Sequence, residues 1–288
     1  DPIFPNLLAL TLEFADNQNA SDSDIEQVLL PFLSQSLKFL EVVGPGNEPI
    51  RLLGVYPEIA ERVSELEALS LPNSASTGIC NTYFRNLRLL TFKDLRSEDA
   101  TALESLSDLE YLRIAYQINT LPHQYRIKEG SFAKLGEIDL MANHTDVLES
   151  LLLTLPPFMA AQSCAIRLAN IGNDWPRIFK QLKPSFRRGR LQKLRIRFHA
   201  IANEFLNLAL EQWNQKELLG CHLLYLSAFR FLSVIEFNAS AIPGFVVNVN
   251  DADIERLASN CPALVRLTLG GGTQQTTSKI TLKALYHL

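Results

Sequence analysis

The sequence repeats one short pattern, Leu-x-x-Leu-x-Leu, about ten times along its 288 residues. Self-similarity at a period of roughly 20–50 residues is typical of solenoids, in which each unit buries its apolar side only by stacking on its neighbours. The pattern therefore predicts a stacked array. The copies begin at residues that share the first motif position: Leu7, Leu37, Leu66, Leu87, Leu109, Leu135, Ser163, Leu191, Leu232 and Leu264.

Each copy predicts a strand, because alternate residues of a strand point to opposite sides, the motif leucines inward and the x positions outward. Successive copies are 21 to 41 residues apart, which leaves room for a returning helix. Four connectors carry apolar residues at helical spacing after a polar N-terminal residue. These connectors are Ile25–Leu33, Val147–Leu155, Trp175–Leu182 with Pro176 in its first turn, and Ile254–Cys261 after Asp251.

The predicted fold class is α/β: a leucine-rich-repeat solenoid, or horseshoe, of about ten irregular repeats. Its parallel strands would form the concave face and its helices the convex face. Residues 1–288 would form a single domain, and both ends appear cut, so we expect a fragment without its capping repeats. An apolar residue three places before many motif starts predicts an anchor at the helix-to-strand corner: Phe4, Val63, Phe84, Leu106, Phe132, Phe229 and Cys261.

Two intervals break the rhythm of the repeat. The unit between Leu109 and Leu135 contains residues 118–123, which favour a loop. The 41-residue interval after Leu191 contains extra material around residues 203–229. This material is an insertion, a degenerate repeat or a longer pair of convex helices. Insertions in solenoids tend to lie on one face, where they can carry binding specificity.

The composition is that of a folded protein, with 47% hydrophobic and 20% charged residues and a net charge of −4. Its charge is unevenly placed: residues 1–30 hold six acids and no base, whereas residues 177–197 hold nine bases and no acid. The four cysteines form no C-x-x-C pair, and no signal peptide or membrane span is recognisable. We therefore predict a reducing compartment, the cytoplasm or nucleus.

The sequence contains no recognisable catalytic motif. The five histidines are isolated, and Gly270-Gly271-Gly272 lacks the Lys and Ser/Thr of a phosphate-binding loop. We therefore predict no cofactor and no metal, and a protein that is not an enzyme. Scattered acids leave open that carboxylates meet in space.

The outward strand positions are the best candidates for partner binding. A basic strand with Lys193, Arg195 and Arg197 follows a loop with Arg187, Arg188 and Arg190. Arginine suits carboxylate or phosphate groups, so the expected partner is an acidic or phosphorylated protein segment on the concave face, not nucleic acid or a membrane. The alternative is that this basic strand face is only solvated, with its charge neutralised by acids such as Glu137 and Asp139. The candidate residues are Arg88, Lys93, Arg113, Lys193, Arg195 and Arg197.

Residues 250–271 resemble a leucine-rich repeat of fungal F-box proteins. They read NDADIERLASNCPALVRLTLGG, and a D-x-D-L-x-x-L-A-x-x-C-P-x-L-x-x-L-x-L unit is typical of that family. Residues 280–285 resemble the start of a further unit. The resemblance implies the substrate-recognition part of a cullin–RING ubiquitin-ligase receptor. The family's F-box, which binds the ligase adaptor, is not found in this sequence.

Two further functions remain open at this point. One is a cytosolic leucine-rich scaffold or inhibitor with no ubiquitin link. The other is an extracellular receptor domain, which the three N-x-S/T sequons at Asn19, Asn143 and Asn238 support only weakly. A helical F-box upstream of this sequence would favour the ubiquitin-ligase receptor, and an upstream signal peptide would favour the extracellular receptor domain.

Overall fold

The structure is a computed structural model with two compact units, Asp1–Leu135 and Gly136–Leu288. The prediction of one domain over residues 1–288 stays a prediction, and each unit is described by itself. The structure describes residues 2–13, 27–43, 56–70, 84, 86–93, 103–116, 126–169, 176–187, 189–199, 217–242 and 244–271. The loop predicted at 118–123 and the residues 280–285 that resemble a further repeat unit lie outside these ranges.

The described residues of unit 1 contain five parallel strands in sequence order. They are β1 (Ala9–Glu13), β2 (Phe39–Val43), β3 (Ala68–Ser70), β4 (Leu89–Lys93) and β5 (Tyr111–Tyr116). Its return segments include a 3-10 turn at Leu30–Phe32 and helix α1 (Tyr56–Arg62). The connector predicted at residues 25–33 is described only from residue 27, and there Leu29 and Leu33 are buried.

Unit 2 contains five more parallel strands of this kind, together with an accessory pair. The main strands are β6 (Glu137–Ala142), β7 (Ser163–Leu168), β8 (Lys193–Phe198), β10 (Val234–Asn238) and β12 (Arg266–Gly270). The accessory strands are β9 (Glu217–Leu219) and β11 (Val246–Asn248). The helices are α2 (Thr145–Thr154), α3 (Arg177–Ser185), α4 (Gly220–Leu223) and α5 (Asp251–Asn260). The α/β class with ten parallel motif strands is confirmed.

The strand register aligns equivalent motif positions from one strand to the next. In unit 1, Leu40 pairs with Leu69 and Leu69 with Leu90, and all three side chains are buried. Burying one such leucine stabilises the fold by about 1.5–3 kcal/mol relative to leaving it exposed. The column of motif side chains therefore forms the core, and the x positions of the same strands face outward.

The seventh motif copy was wrongly placed by two residues. Ser163 pairs with Glu137, which is an outward x position, and not with Leu135. Cys164 pairs with Ile138, so the first motif position of this copy belongs to Ala161. Ala161 and Cys164 are both fully buried. A template that searches for leucine misses this copy because its first two inward side chains are small.

The helix-to-strand corners follow the prediction made from the apolar residue three places before the motif. In six copies the backbone N–H of the first motif residue donates to the carbonyl of that anchor, which closes a turn. The anchors are Phe4, Val63, Leu106, Phe132, Phe229 and Cys261. All of them are buried except Phe4, and Phe84 is buried as well. Strand and return segment thus share one core at the corner.

Three predicted helices are confirmed in unit 2. The predicted inward residues Val147, Leu148, Leu151 and Leu152 of α2 are buried, as are Ile178, Phe179 and Leu182 of α3. Pro176 lies one position before α3. In α5 the N-cap is Asn250 and not Asp251. The Asn250 Oδ1 accepts from the Asp253 N–H at 3.1 Å, and Asp253 Oδ2 accepts from the Asn250 N–H at 3.1 Å.

Beyond residue 199, the long interval after Leu191 is described only from residue 217, and the choice among the three interpretations stays a prediction. Its described part holds β9, α4 and a 3-10 helix at Leu224–Ala228, and β9 pairs in parallel with β11 of the next interval. Trp213 lies outside the described residues. Between this accessory pair and the main strands, Phe198, Phe237 and Phe245 form a buried cluster with centroids 5.3–6.0 Å apart.

The N-terminus of α4 is pressed against the capping box of α5. A Cβ atom on Gly220 would overlap the Asp253 carboxylate. We expect Gly220→Ala to lower the free energy of unfolding by about 1 kcal/mol or more, as Asn250→Ala should by removing the cap. Gly189→Ala is the matched control, because its Cβ would meet only Phe231 at 3.8 Å. Chemical denaturation should separate the three variants, and equal stability of the two glycine variants would contradict the crowding.

The corrected register of β7 gives a second prediction. Ala161→Asp should lower the free energy of unfolding by about 3 kcal/mol or more, because it places an unpaired charge in a fully buried motif position. The adjacent Gln162 is exposed, so Gln162→Glu should change stability by less than about 0.5 kcal/mol. Thermal or urea unfolding measures both. Similar losses for the two variants would show that the register is wrong.

Candidate protein-binding surface

The outward side chains of unit 2 form a regular grid set by the strand register. Its first row runs Glu137, Ser163, Lys193, Val234, Arg266. The second row runs Asp139, Ala165, Arg195, Glu236, Thr268, and the third begins Met141, Arg167, Arg197, Asn238. Adjacent strands lie about 4.8 Å apart, so side chains of neighbouring positions in one row can touch. This grid holds five bases and three acids.

Four of these bases form a basic cluster, Lys193, Arg195, Arg197 and Arg266, and the three arginines contact the carboxylate of Glu236. Arg195 Nε lies 3.4 Å from Glu236 Oε2, and Arg197 donates from Nη2 to the same oxygen at 3.4 Å. Arg266 Nη1 lies 3.9 Å from Glu236 Oε1. Glu236 is largely covered by these neighbours, with a side-chain exposure of 17%, whereas Arg197 and Arg266 stay exposed at 53% and 67%. One acid thus holds three guanidinium groups at the surface.

The fifth base of the grid, Arg167, has a different role. Its Nη2 donates to Asp139 Oδ2 at 2.8 Å, and the Asp139 side chain is almost fully buried. A buried carboxylate is costly unless it is paired and hydrogen-bonded, so this pair belongs to the structure of the sheet. The Asp139 carboxylate is therefore paired with Arg167 on the neighbouring strand.

The candidate residues of unit 1 lie in a different setting. Arg88 is not on the strand proper but one residue before β4, in a charged row made of Lys38, Glu67, Arg88 and Glu110. Arg88 Nη2 lies 2.7 Å from Glu110, Lys38 Nζ lies 3.4 Å from Glu67, and Arg88 Nη1 lies 3.9 Å from Glu67. The hydrogen bond and the charge of Glu110 raise the pKa of Arg88 above its usual value. Arg88 is thus an ion-paired residue of this row.

The remaining two candidates of unit 1 are only partly described. Arg113 lies at an outward position of β5, in register with Thr91 of β4, and is half-buried. Lys93 ends β4, and its side chain is outside the described residues, as is Arg188 of the basic loop. Arg187 and Arg190 of that loop are described and exposed. The structure therefore brings together the β8 candidates, Lys193, Arg195 and Arg197, in one cluster.

The sequence pointed to the wrong acids as the neutralising partners of β8. Glu137 lies two strands away from Lys193, and Asp139 binds Arg167. The acid that contacts the β8 arginines is Glu236, from the next motif strand along the sheet, 39 residues after Arg197. Glu236 occupies the same motif position as Arg195, so the sequence does indicate that the two could be neighbours. To predict this contact one must assume that β8 pairs directly with β10 across the long interval.

The net charge of the whole chain is small, but the net charges of the two units have opposite signs. Unit 1 contains nineteen acids and eleven bases, a net charge of −8. Unit 2 contains twelve acids and sixteen bases, a net charge of +4. Long-range attraction of a charged partner segment therefore differs in sign between the two units.

The buried thiols of Cys164 and Cys261 lie in the core, and His222 makes a local hydrogen bond. Burial raises the pKa of Cys164 far above that of a free thiol and that of Cys261 to about 11, so both stay protonated at neutral pH. His222 Nδ1 accepts from the Leu219 N–H at 3.1 Å, and burial lowers the pKa of this histidine. Among the described residues, no three His, Cys, Asp or Glu side chains converge as metal ligands.

Comparisons with known proteins supply no family. The chain matches no protein-family model, and a search of curated proteins returns no significant match. Within the described part of the chain, no helix has both the length and the apolar character needed to cross a bilayer.

The Arg167–Asp139 pair gives a testable consequence. Arg167→Met should lower the free energy of unfolding by about 2–4 kcal/mol at neutral pH, because it removes the observed partner of a buried carboxylate. The double variant Asp139→Asn/Arg167→Met should recover part of that loss. Urea denaturation of the single and double variants measures the coupling. A fully additive cycle would show that the two side chains act independently.

Proposed function

We propose that the chain is a non-enzymatic recognition module, built as a leucine-rich-repeat array, whose outward strand surface binds another protein. Ten motif strands pair in parallel within their units, and the register places motif side chains inside and variable side chains outside. This arrangement favours recognition by a surface of many strands. The horseshoe curvature expected of such arrays is part of the proposal.

The observation that carries the proposal is the basic cluster around Glu236. Lys193, Arg197 and Arg266 are exposed, and Arg195 is half-buried behind them. Guanidinium groups donate several hydrogen bonds in a fixed plane and match carboxylate and phosphate oxygens. We therefore propose an acidic or phosphorylated segment of a partner protein as the ligand of this cluster.

In the proposed site, the Glu236 carboxylate competes with an anionic ligand for the arginine side chains. It already forms ion pairs with Arg195, Arg197 and Arg266 at nitrogen–oxygen distances of 3.4–3.9 Å. Contacts of that length are weaker than the 2.7–2.9 Å typical of charge-assisted hydrogen bonds. An incoming anion that approaches more closely would replace them, so the removal of the Glu236 charge should strengthen binding.

The proposed link to ubiquitin ligases rests on the resemblance of residues 250–271 to fungal F-box repeats. The structure gives several signature residues a structural role. Asp253 closes the cap of α5, buried Leu257 faces the core, and Cys261 anchors the corner before Leu264. These roles of the signature residues support the proposed repeat array. From the resemblance we infer a substrate receptor that binds its adaptor through an F-box and resides in the cytoplasm or nucleus.

The test of the proposed ligand uses three fluorescein-labelled peptides of equal length: one rich in Glu and Asp, one with two phosphoserines, and one with Ser and Gln only. Binding is followed by fluorescence anisotropy. The wild-type chain should bind both anionic peptides and not the neutral one. Lys193→Glu/Arg195→Glu/Arg197→Glu should abolish this binding, whereas Glu236→Gln should strengthen it about threefold or more.

The matched control is Arg177→Glu/Lys180→Glu/Lys183→Glu, which makes the same charge change on helix α3. It should retain most of the affinity. Equal loss in the two triple variants would mean that only the net charge of the unit matters. Unchanged binding by the β8 variant, with circular dichroism showing an intact fold, would reject the basic cluster as the site.

A further inference from the structure

The outward surface of unit 1 carries a row of apolar side chains. Phe39 on β2, Ala68 on β3, Leu89 on β4 and Tyr111 on β5 are direct neighbours in the strand register. All four are half-buried, although their positions face away from the motif core. With about 4.8 Å between strands, the row extends across the sheet for roughly 14 Å.

The equivalent row of unit 2 is polar at four of its five positions. There the register gives Glu137, Ser163, Lys193, Val234 and Arg266, with a single apolar residue. Inward burial in the two units follows the same motif, so the core does not explain the difference. A continuous strip of apolar side chains that stay partly accessible to solvent is a candidate contact site for another macromolecule.

Charged and polar residues frame the apolar row on both sides. On one side lies the charged row of Lys38, Glu67, Arg88 and Glu110, in which Lys38 also lies 3.5 Å from Glu65. Lys38 contacts Glu65 and Glu67, and Arg88 contacts Glu67 and Glu110, so the row itself is neutral and Glu65 adds one negative charge beside it. On the other side, Glu41 accepts from the Thr11 hydroxyl at 3.3 Å.

The backbone holds the apolar row and the charged row in a fixed relation. The carbonyl of Lys38 accepts from the N–H groups of both Glu67 and Ala68. The carbonyl of Glu67 does the same for Arg88 and Leu89, and that of Arg88 for Glu110 and Tyr111. Each outward apolar side chain therefore has a charged neighbour at the preceding residue. A ligand that covers the apolar row would contact apolar and charged side chains together.

We propose that the apolar row is a docking surface for a segment of a partner protein in which apolar side chains alternate with lysine or arginine. The apolar side chains would cover Phe39, Leu89 and Tyr111, and the basic side chains would meet Glu65, Glu67, Glu110 and Glu41. The net charge of −8 on unit 1 favours the approach of such a segment. This surface is independent of the basic cluster of unit 2 and requires a ligand of opposite charge.

The proposal is tested with three labelled peptides of about eight residues: alternating Leu and Lys, alternating Ser and Lys, and alternating Leu and Glu. Fluorescence anisotropy of the full chain should show binding of the Leu/Lys peptide alone. Leu89→Ser should weaken it about fivefold or more, because the apolar contact is lost, whereas Leu89→Met should preserve it. Binding should also weaken as the salt concentration rises, since part of it is electrostatic.

Val234→Ser is the matched control, because Val234 holds the same outward position in unit 2 and is also half-buried. It should leave the affinity for the Leu/Lys peptide unchanged. Equal binding of the Ser/Lys peptide would overturn the proposal, since attraction to an acidic surface would then suffice. So would unaltered peptide binding in Leu89→Ser, or concentration-dependent dimers that Leu89→Ser abolishes, which would assign the row to a second copy of the chain.

If Leu89→Ser lowers the melting temperature strongly, Leu89→Met and Tyr111→Ser provide the comparison at a temperature where every variant is folded. A row that serves only cross-strand packing would cost stability in the serine variants and show no peptide binding in the wild type. That result overturns the proposal. The basic cluster can be judged separately, because its test uses anionic peptides and substitutions in unit 2.

Discussion

Everything in this structure depends on the pairing of equivalent motif positions between neighbouring strands. A single motif strand has two or three inward side chains and cannot bury them alone. When Leu40, Leu69 and Leu90 stack in register, each covers the next, and the same pairing aligns the outward residues into rows. The core and the presumed binding surface are therefore consequences of one interaction, the lateral fit of one copy on the next.

The outward rows differ in chemistry although the inward columns are alike. In unit 2 the rows bring Arg195, Arg197 and Arg266 to one carboxylate, Glu236. In unit 1 they bring Phe39, Leu89 and Tyr111 into one apolar strip beside a ladder of ion pairs. Exposed ion pairs contribute little to stability, commonly below about 1 kcal/mol. Their arrangement is better understood as a property of the surface than as a source of stability.

The sequence predicted the strands, the corner anchors and the apolar faces of α2, α3 and α5, because each depends on local periodicity. It failed where the signal was not local. Ala161 and Cys164 fill motif positions with small side chains, so only the pairing of Cys164 with Ile138 reveals their register. The contact of Glu236 with β8 joins strands separated by the long interval, and Phe245, just before β11, packs against Phe198 and Phe237 of distant strands. The outward candidates were predictable as positions but not as contacts.

The shared carbonyls before each strand have a consequence for how such a surface can change. Because Lys38, Glu67 and Arg88 each hold two successive N–H groups of the next copy, the addition or loss of one residue within a motif would exchange its inward and outward side chains. The return segments have no such restriction, and the copies are separated by 21 to 41 residues. Insertions and deletions are therefore confined to the return side, and the outward surface can diversify only through substitution, one side chain at a time.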